Sequence, residues 1–169
     1  MICLVSAGPR CDIIITYMKA NAVGKNYSEV ELAYSAGFLD ADGAIMACIE
    51  KHSEKKFGFR VRVFVKVSQK NRDVLDWFLE TFGRGFIRKN RTTFDWEIKD
   101  QKDARGFLIE VAPYLKGKRK QADYAITIIN TQVESKEDLI RIANLADALS
   151  RLNVRSLNRR KNFVSMIKE

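Results

Sequence analysis

A chain of 169 residues, 46% hydrophobic and of net charge +9, suits one domain with a real core. Its three cysteines, Cys3, Cys11 and Cys48, show no CxxC spacing and read as reduced thiols of an intracellular protein, excluding a disulfide framework or a cysteine zinc site. His52 is the only histidine, which excludes chemistry built on a histidine pair within one chain.

No run of about 18 apolar residues is present to span a membrane. The basic and acidic residues are interspersed, and a basic excess on a globular chain points to a polyanion, nucleic acid before membrane. Residues 1–27 form an N-terminal extension without an assigned role. Within it CDIIITYM reads as a strand or a buried helical turn. Its apolar opening lacks a basic n-region and is split by Arg10 and Asp12, which argues against a signal peptide.

Ser28, with Glu31 three residues on, forms a capping box and opens a helix. Ala33, Ala36 and Gly37 are assigned to one flank, small enough for a second helix to approach at backbone contact. The helix runs into Asp40-Ala41-Asp42-Gly43, two acids and a glycine able to take positive φ. Acids there oppose the negative end of the helix dipole, a penalty that a cation beside them would remove.

Ala44 to His52 predicts a strand with mixed faces. Gly58 to Gln69 predicts a cleaner one, with Val61, Val63, Val65 and Val67 on one side and Arg60, Arg62, Phe64 and Lys66 on the other. Asn71 caps a helix to Phe82 whose apolar stripe is Val74, Leu75, Phe78 and Phe82. Gly83-Arg84-Gly85 ends it. A second hairpin, Arg84–Asn90 with Thr93–Lys99, aligns Arg84, Phe86, Arg88 and Asn90 on one side. Asp95, Glu97 and Lys99 read as the outer face of its last strand, turned to DNA or water; an E-x-K nuclease cluster there is the less favoured reading.

Helices are then expected from Asp103 to Leu115, stopped near Pro113, and from Gln121 to Thr131 after the basic knot Lys116-Gly117-Lys118-Arg119-Lys120. Ser135 caps a last amphipathic helix, Lys136–Leu152, with Leu139, Ile142, Ala143, Ala146 and Leu149 inward. The fold class that follows is α+β: an αββαββα core whose four antiparallel strands form one sheet, helices on the valine-rich face and cations on the open one. A β-ribbon fits the DNA major groove, where arginine bonds guanine bidentately. Phe64 and Phe86 either meet thymine methyls there or turn inward at a bulge.

YSAGFLDADG, Tyr34 to Gly43, resembles the signature of the LAGLIDADG homing endonucleases. Val67-Ser68-Gln69-Lys70 is similar to the strand end that carries that family's water-organising glutamine, and the segment from Pro113 to Ala122 to the one carrying its active-site lysine. Three separated matches in order are more specific than any one. The resemblance covers Ser28 to about Leu152, so residues 28–153 are expected to be the endonuclease core and 154–169 a basic tail.

The resemblance implies a site-specific endonuclease that binds a long near-palindromic double-stranded DNA site and hydrolyses a phosphodiester in each strand with Mg²⁺ or another divalent cation such as Mn²⁺ or Ca²⁺. One signature per chain implies a homodimer, with Ala33, Ala36 and Gly37 at its two-fold axis. Asp42 would be the metal ligand, helped by the Ala41 carbonyl; Gln69 would position water and Lys118 would stabilise charge or activate the nucleophile. Asp40 reads as structural. The family's second active-site cation has two candidates, Lys70 and Arg72. DNA contacts are expected from these two, from Arg60, Arg62, Phe64, Lys66, Arg84, Phe86, Arg88, Asn90, Glu97 and Lys99, and from Lys120. Ser35 stands where the signature usually has a large apolar residue. The alternative within the family is a maturase of intron RNA, or a DNA-binding protein that does not cut. Either reading places the protein inside the cell, in the cytoplasm, at a nucleoid or in an organelle, with no membrane.

Overall fold

The computed structural model describes residues 27–153 and 163–168. The expectations for CDIIITYM and for most of the basic tail lie outside the described residues. The elements follow as α1 (Glu29–Asp42), β1 (Gly43–Lys51), β2 (Phe59–Gln69), α2 (Asp73–Phe82), β3 (Phe86–Asn90), β4 (Thr93–Ile98), α3 (Gln101–Val111), α4 (Arg119–Asn130), α5 (Lys136–Leu152) and α6 (Phe163–Lys168). The strands form one antiparallel sheet in the order β1-β2-β4-β3. Two hairpins are therefore joined through their second strands.

The alternation of β2 sets the layers. Val63, Val65 and Val67 are fully buried, with Ile45 and Ala47 of β1 and Trp96 and Ile98 of β4 on the same side. Against them pack Leu75 and Phe78 of α2, Phe107 and Leu108 of α3, Ala122 and Ala125 of α4, and Leu139, Ala146 and Leu149 of α5. Burying an apolar side chain of this size contributes about 1.5–3 kcal/mol, so one face of the sheet acquires a helical layer and the other is left to solvent.

Local chemistry accounts for most boundaries. The capping box is present: Glu31 N donates to Ser28 Oγ at 3.2 Å and Ser28 N to Glu31 Oε2 at 2.8 Å. Ser135 and Asp138 repeat the arrangement at α5. Gly83 ends α2 in the left-handed region at φ 61°.

Several boundaries differ from expectation. Gly43 is extended, with φ −89°, so α1 passes directly into β1 without a left-handed turn. Glycine is needed there for close approach, since a Cβ would lie 2.7 Å from the Leu39 carbonyl oxygen. Arg72, not Asn71, is the cap position of α2, although Asn71 Oδ1 still accepts from Asp73 N at 2.9 Å. Capped by Asp100, α3 starts at Gln101, two residues before the expected Asp103, and ends at Val111 in a 3-10 turn, Ala112–Tyr114. Basic residues open α4, which begins at Arg119 rather than at Gln121.

Candidate metal centre and nucleic-acid interface

Three segments distant in sequence meet at the foot of α1. Asp42 is exposed there, and its Oδ2 accepts from Gln69 Nε2 at 2.6 Å. Strand period brings them together. Gln69 shares the parity of Val63, Val65 and Val67 and so faces the helical layer, but it lies at the strand end, past the core. Lys118, at the cap position of α4, donates from Nζ to the Asp40 carbonyl oxygen.

Asp40 turns the other way. Its carboxylate accepts from three successive backbone N–H groups, Lys116 at 2.7 Å, Gly117 at 3.0 Å and Lys118 at 2.7 Å. Burial pushes the Asp40 pKa up; the three N–H bonds and the Lys118 charge outweigh it and hold the carboxyl below its usual value. The dipole penalty foreseen for this acid is thus offset by the N-terminus of α4. Asp42 has no such compensation, and its Oδ1 accepts from no described residue.

Val30, Ala33, Tyr34, Gly37 and Ala41 form an exposed stripe along α1. It continues into a groove lined by Val30, Tyr34, Val74 and Trp77. Ala36 does not belong to the stripe. It is fully buried with Ser35 and Leu39, about 100° around the helix from Gly37, and packs in its own core. This corrects its assignment to the flank of Ala33 and Gly37. A Cβ added at Gly37 would meet nothing within 4 Å.

On the open face of the sheet, register sets Glu50 beside Arg60, Cys48 beside Arg62, Met46 beside Phe64, Lys66 beside Glu97 and Ser68 beside Asp95. Phe86 and Arg88 of β3 stand opposite Glu97 and Asp95. Phe64 and Phe86 both remain on this face, with Arg62 at 5.3 Å from the first ring and Lys99 at 5.1 Å from the second.

The acids are the surprise of this surface. The Asp95 side chain has 0% exposure and that of Glu97 7%. Asp95 accepts from Ser68 Oγ at 2.6 Å and Asn90 Nδ2 at 2.9 Å and pairs with Lys66 at 3.5 Å and Arg88 at 3.6 Å. Glu97 accepts from Arg88 Nε at 2.8 Å and pairs with Lys99 at 3.0 Å. Burial raises the Asp95 pKa, but the Ser68 hydrogen bond, the Lys66 charge and Asn90 bring it below the usual carboxylate value. The expectation that Asp95 and Glu97 face DNA or water is therefore corrected: they lie beneath the cations. Arg60 pairs with Glu50 at 2.9 Å, and Arg62 pairs with it at 3.8 Å and donates to the Lys99 carbonyl at 3.0 Å. Arg60, Arg62, Lys66, Arg88 and Lys99 together outnumber Glu50, Asp95 and Glu97, so the face stays positive without being one-signed.

The family model described as LAGLIDADG endonuclease matches residues 35–128. The chain belongs to the LAGLIDADG endonuclease family. It is 31% identical over 132 residues to the DNA endonuclease I-CreI of Chlamydomonas reinhardtii, covering 75% of this chain and 81% of that protein. It is 30% identical over 131 residues to the DNA endonuclease I-CvuI of Chlorella vulgaris. The crystal structure of I-CvuI in complex with its target, in the presence of calcium, superposes with a TM-score of 0.74 at 28% identity over 82% of this chain and 90% of that one.

Against the LAGLIDADG pattern, the structure joins Gln69 to Asp42 and Lys118 to Asp40, both on the last turn of α1, and leaves some other candidates elsewhere. Arg84 is not on the open face. It forms a bidentate pair with Glu110 of α3 at 2.7 and 3.0 Å, with only 11% of its side chain exposed. Its assignment to DNA is corrected on that ground: it precedes β3, in the bend between Gly83 and Gly85, and turns to the helical layer. Lys120 stands in the helical layer too, on α4, 5.8 Å from the Tyr124 ring. Arg72 pairs with Asp76 at 3.1 Å and lies 5.9 Å from the Phe94 ring; Lys70 is exposed next to Gln69. Ser68 was missed as a member of the open-face network, and Asp95, expected on that face, is its buried acceptor instead of a group turned to DNA or water. Period 2 already puts Ser68 beyond Lys66 on that face, but only the β2–β4 register places Asp95 beside it.

Proposed function

We propose that the chain is a site-specific homing endonuclease that binds a long near-palindromic double-stranded DNA site as a homodimer and hydrolyses one phosphodiester per strand with a divalent cation, Mg²⁺ first. The observation that carries this is the convergence of Asp42, Gln69 and Lys118 at the foot of a helix whose outer stripe is small and exposed. A two-fold pairing on that stripe sets the feet of two α1 helices, and both Asp42 carboxylates, near one axis.

The donor set fits a hard cation. An Asp42 oxygen and the Ala41 carbonyl are oxygen ligands of the kind Mg²⁺ and Ca²⁺ take. A divalent cation held by Asp42 and the Ala41 carbonyl would supply Lewis-acid polarisation of the phosphate. Gln69 orients the Asp42 carboxylate through Nε2 and has its carbonyl oxygen left to hold a water. Lys118 would supply a positive charge that stabilises developing negative charge on the phosphate or activates the nucleophile. Asp42 without a cation would repel DNA, so a carboxylate kept exposed there is better suited to cutting than to binding alone.

The open sheet face supplies recognition. Arg60, Arg62, Lys66, Arg88 and Lys99, with Phe64, Phe86 and Asn90, are the groups available to the major groove. The test is cleavage of a library of long near-palindromes with Mg²⁺ or with EDTA, wild type beside Asp42→Asn. Mg²⁺-dependent cutting lost in the variant is the expected result. Sequence-specific binding with no cutting in Mg²⁺, Mn²⁺ or Ca²⁺ would replace the enzyme by a binder, and intron RNA would be the next ligand tried.

A further inference from the structure

We propose that Asp40 is the positioning residue for Lys118; the inference rests on the reading of Lys118 as a group of the cleavage site. Asp40 grips Lys118 at both ends. The Lys118 backbone N–H bonds Asp40 Oδ1 at 2.7 Å, and Lys118 Nζ bonds the Asp40 main-chain carbonyl. Asp40 Oδ2 takes the two preceding N–H groups, Lys116 at 2.7 Å and Gly117 at 3.0 Å. Among the described residues Lys118 Nζ has no other partner.

Helix electrostatics explains why the pair forms. Past the Leu39 carbonyl, which accepts from the Gly43 N–H, the last carbonyls of α1 have no intrahelical donor, because β1 begins at Gly43. A lysine ammonium placed on one of them meets the negative end of the α1 dipole. The backbone N–H groups ahead of α4, which starts at Arg119, are unsatisfied in the same way, and the Asp40 carboxylate meets the positive end of that helix. The two helix ends thus exchange charges through two residues 78 positions apart.

The consequence is geometric. A lysine stem has four flexible carbons, and an ammonium fixed by nothing else would sample many positions. Asp40 and Asp42 lie about 200° apart around α1. One residue therefore faces Gln69 while the other faces α4, on a single rigid helix end. The distance from the ammonium to the Asp42 carboxylate is set by α1 itself, with Asp40 as the fixed point.

The experiment is single-turnover cleavage of the target duplex by the full chain in Mg²⁺, for wild type, Asp40→Asn, Lys118→Met and the double variant. Duplex affinity in Ca²⁺ and thermal unfolding are read alongside. Expected is a cleavage rate lowered by about tenfold or more in Asp40→Asn at unchanged duplex affinity. The double variant should be no slower than Lys118→Met alone. Asp40→Glu, which keeps the acceptor charge, should recover part of the rate. Where Asp40→Asn fails to fold, Lys116→Pro removes one of the N–H bonds with Asp40 intact; Leu115 before it is already extended, φ −67° and ψ 136°, as proline requires. A wild-type rate in both Asp40→Asn and Lys116→Pro, or losses that multiply in the double variant, would overturn the proposal while leaving Lys118 in the site. A wild-type rate in Lys118→Met would instead remove Lys118 from the site, and the role of Asp40 with it.

Discussion

Gln69 Nε2 donates to Asp42 Oδ2 across 2.6 Å, tying the end of β2 to the end of α1 27 residues earlier. This contact fixes the orientation of an exposed carboxylate that no other described residue bonds. Replacing Asp42 by Asn keeps the shape and removes the charge. Cleavage is expected to fall by about a hundredfold or more, with duplex affinity unchanged or tighter because a repulsion with phosphate is gone. Gel-based cleavage and fluorescence anisotropy on one preparation separate the two effects. Loss of affinity together with cleavage would move Asp42 from the chemistry to the binding surface.

The two small residues of α1 that look alike in sequence should respond in opposite ways. A side chain at Gly37 meets empty space in the protomer, so Gly37→Leu should leave its fold intact and, for the proposed homodimer, halve the mass in sedimentation by separating the two α1 helices. Ala36 is fully buried, so Ala36→Leu overpacks its own core and should lower stability by about 1–3 kcal/mol. An unchanged dimer in Gly37→Leu would place the axis elsewhere.

Ser35 carries a buried hydroxyl without a hydrogen-bond partner among the described residues. An unmade hydrogen bond at such a site costs about 1–3 kcal/mol. Ser35→Ala removes the group with little change of shape, and chemical denaturation should show a gain of about 1 kcal/mol. A loss of stability would mean that the hydroxyl has a partner, such as water.

Asp95 and Asp40 both have carboxyl groups whose folded pKa is depressed below the value of 3.8. Each therefore contributes stability that is complete above that value and is lost as pH falls through the lower folded one. Thermal unfolding should be flat in this respect near neutrality and drop below about pH 4. Asp95→Asn should flatten that drop.

The same Asp95→Asn change releases Lys66 from its buried partner on the open face, while Arg88 stays paired with Glu97 at 2.6 Å. Affinity for unrelated duplex should rise, and the slope of log K against log salt should steepen by about one phosphate equivalent. Discrimination between target and unrelated DNA should fall, since Lys66 loses the carboxylate that aims it. Titrations of both duplexes across salt concentrations check this. Equal gains for both duplexes would limit Asp95 to a general electrostatic role.

What could be read from the chain follows the range of the signal. The capping boxes at Ser28 and Ser135, the valine alternation of β2 and the inward stripe of α5 depend on residues within one or two turns of each other. Local geometry alone carries them. The site candidates Asp42, Gln69 and Lys118 were legible through a resemblance, and their mutual geometry was not. Arg84 was misread because strand parity was extended two residues too far; its partner Glu110 lies 26 positions on.

The sequence by itself determined the element order, the valine-rich face and the capped start of the signature helix, because periods of 2 and 3.6 and i, i+3 caps need no knowledge of neighbours. Tertiary structure alone decided that Ala36 turns inward while Gly37 stays out, that Asp95 and Glu97 lie beneath the cations of the open sheet, and that Asp40 closes on Lys118. Each of these depends on the rotation of a helix against the core, on strand register, or on two helix ends meeting. Such contacts form between elements far apart in the chain, where no local pattern records which dipole or charge will be the partner.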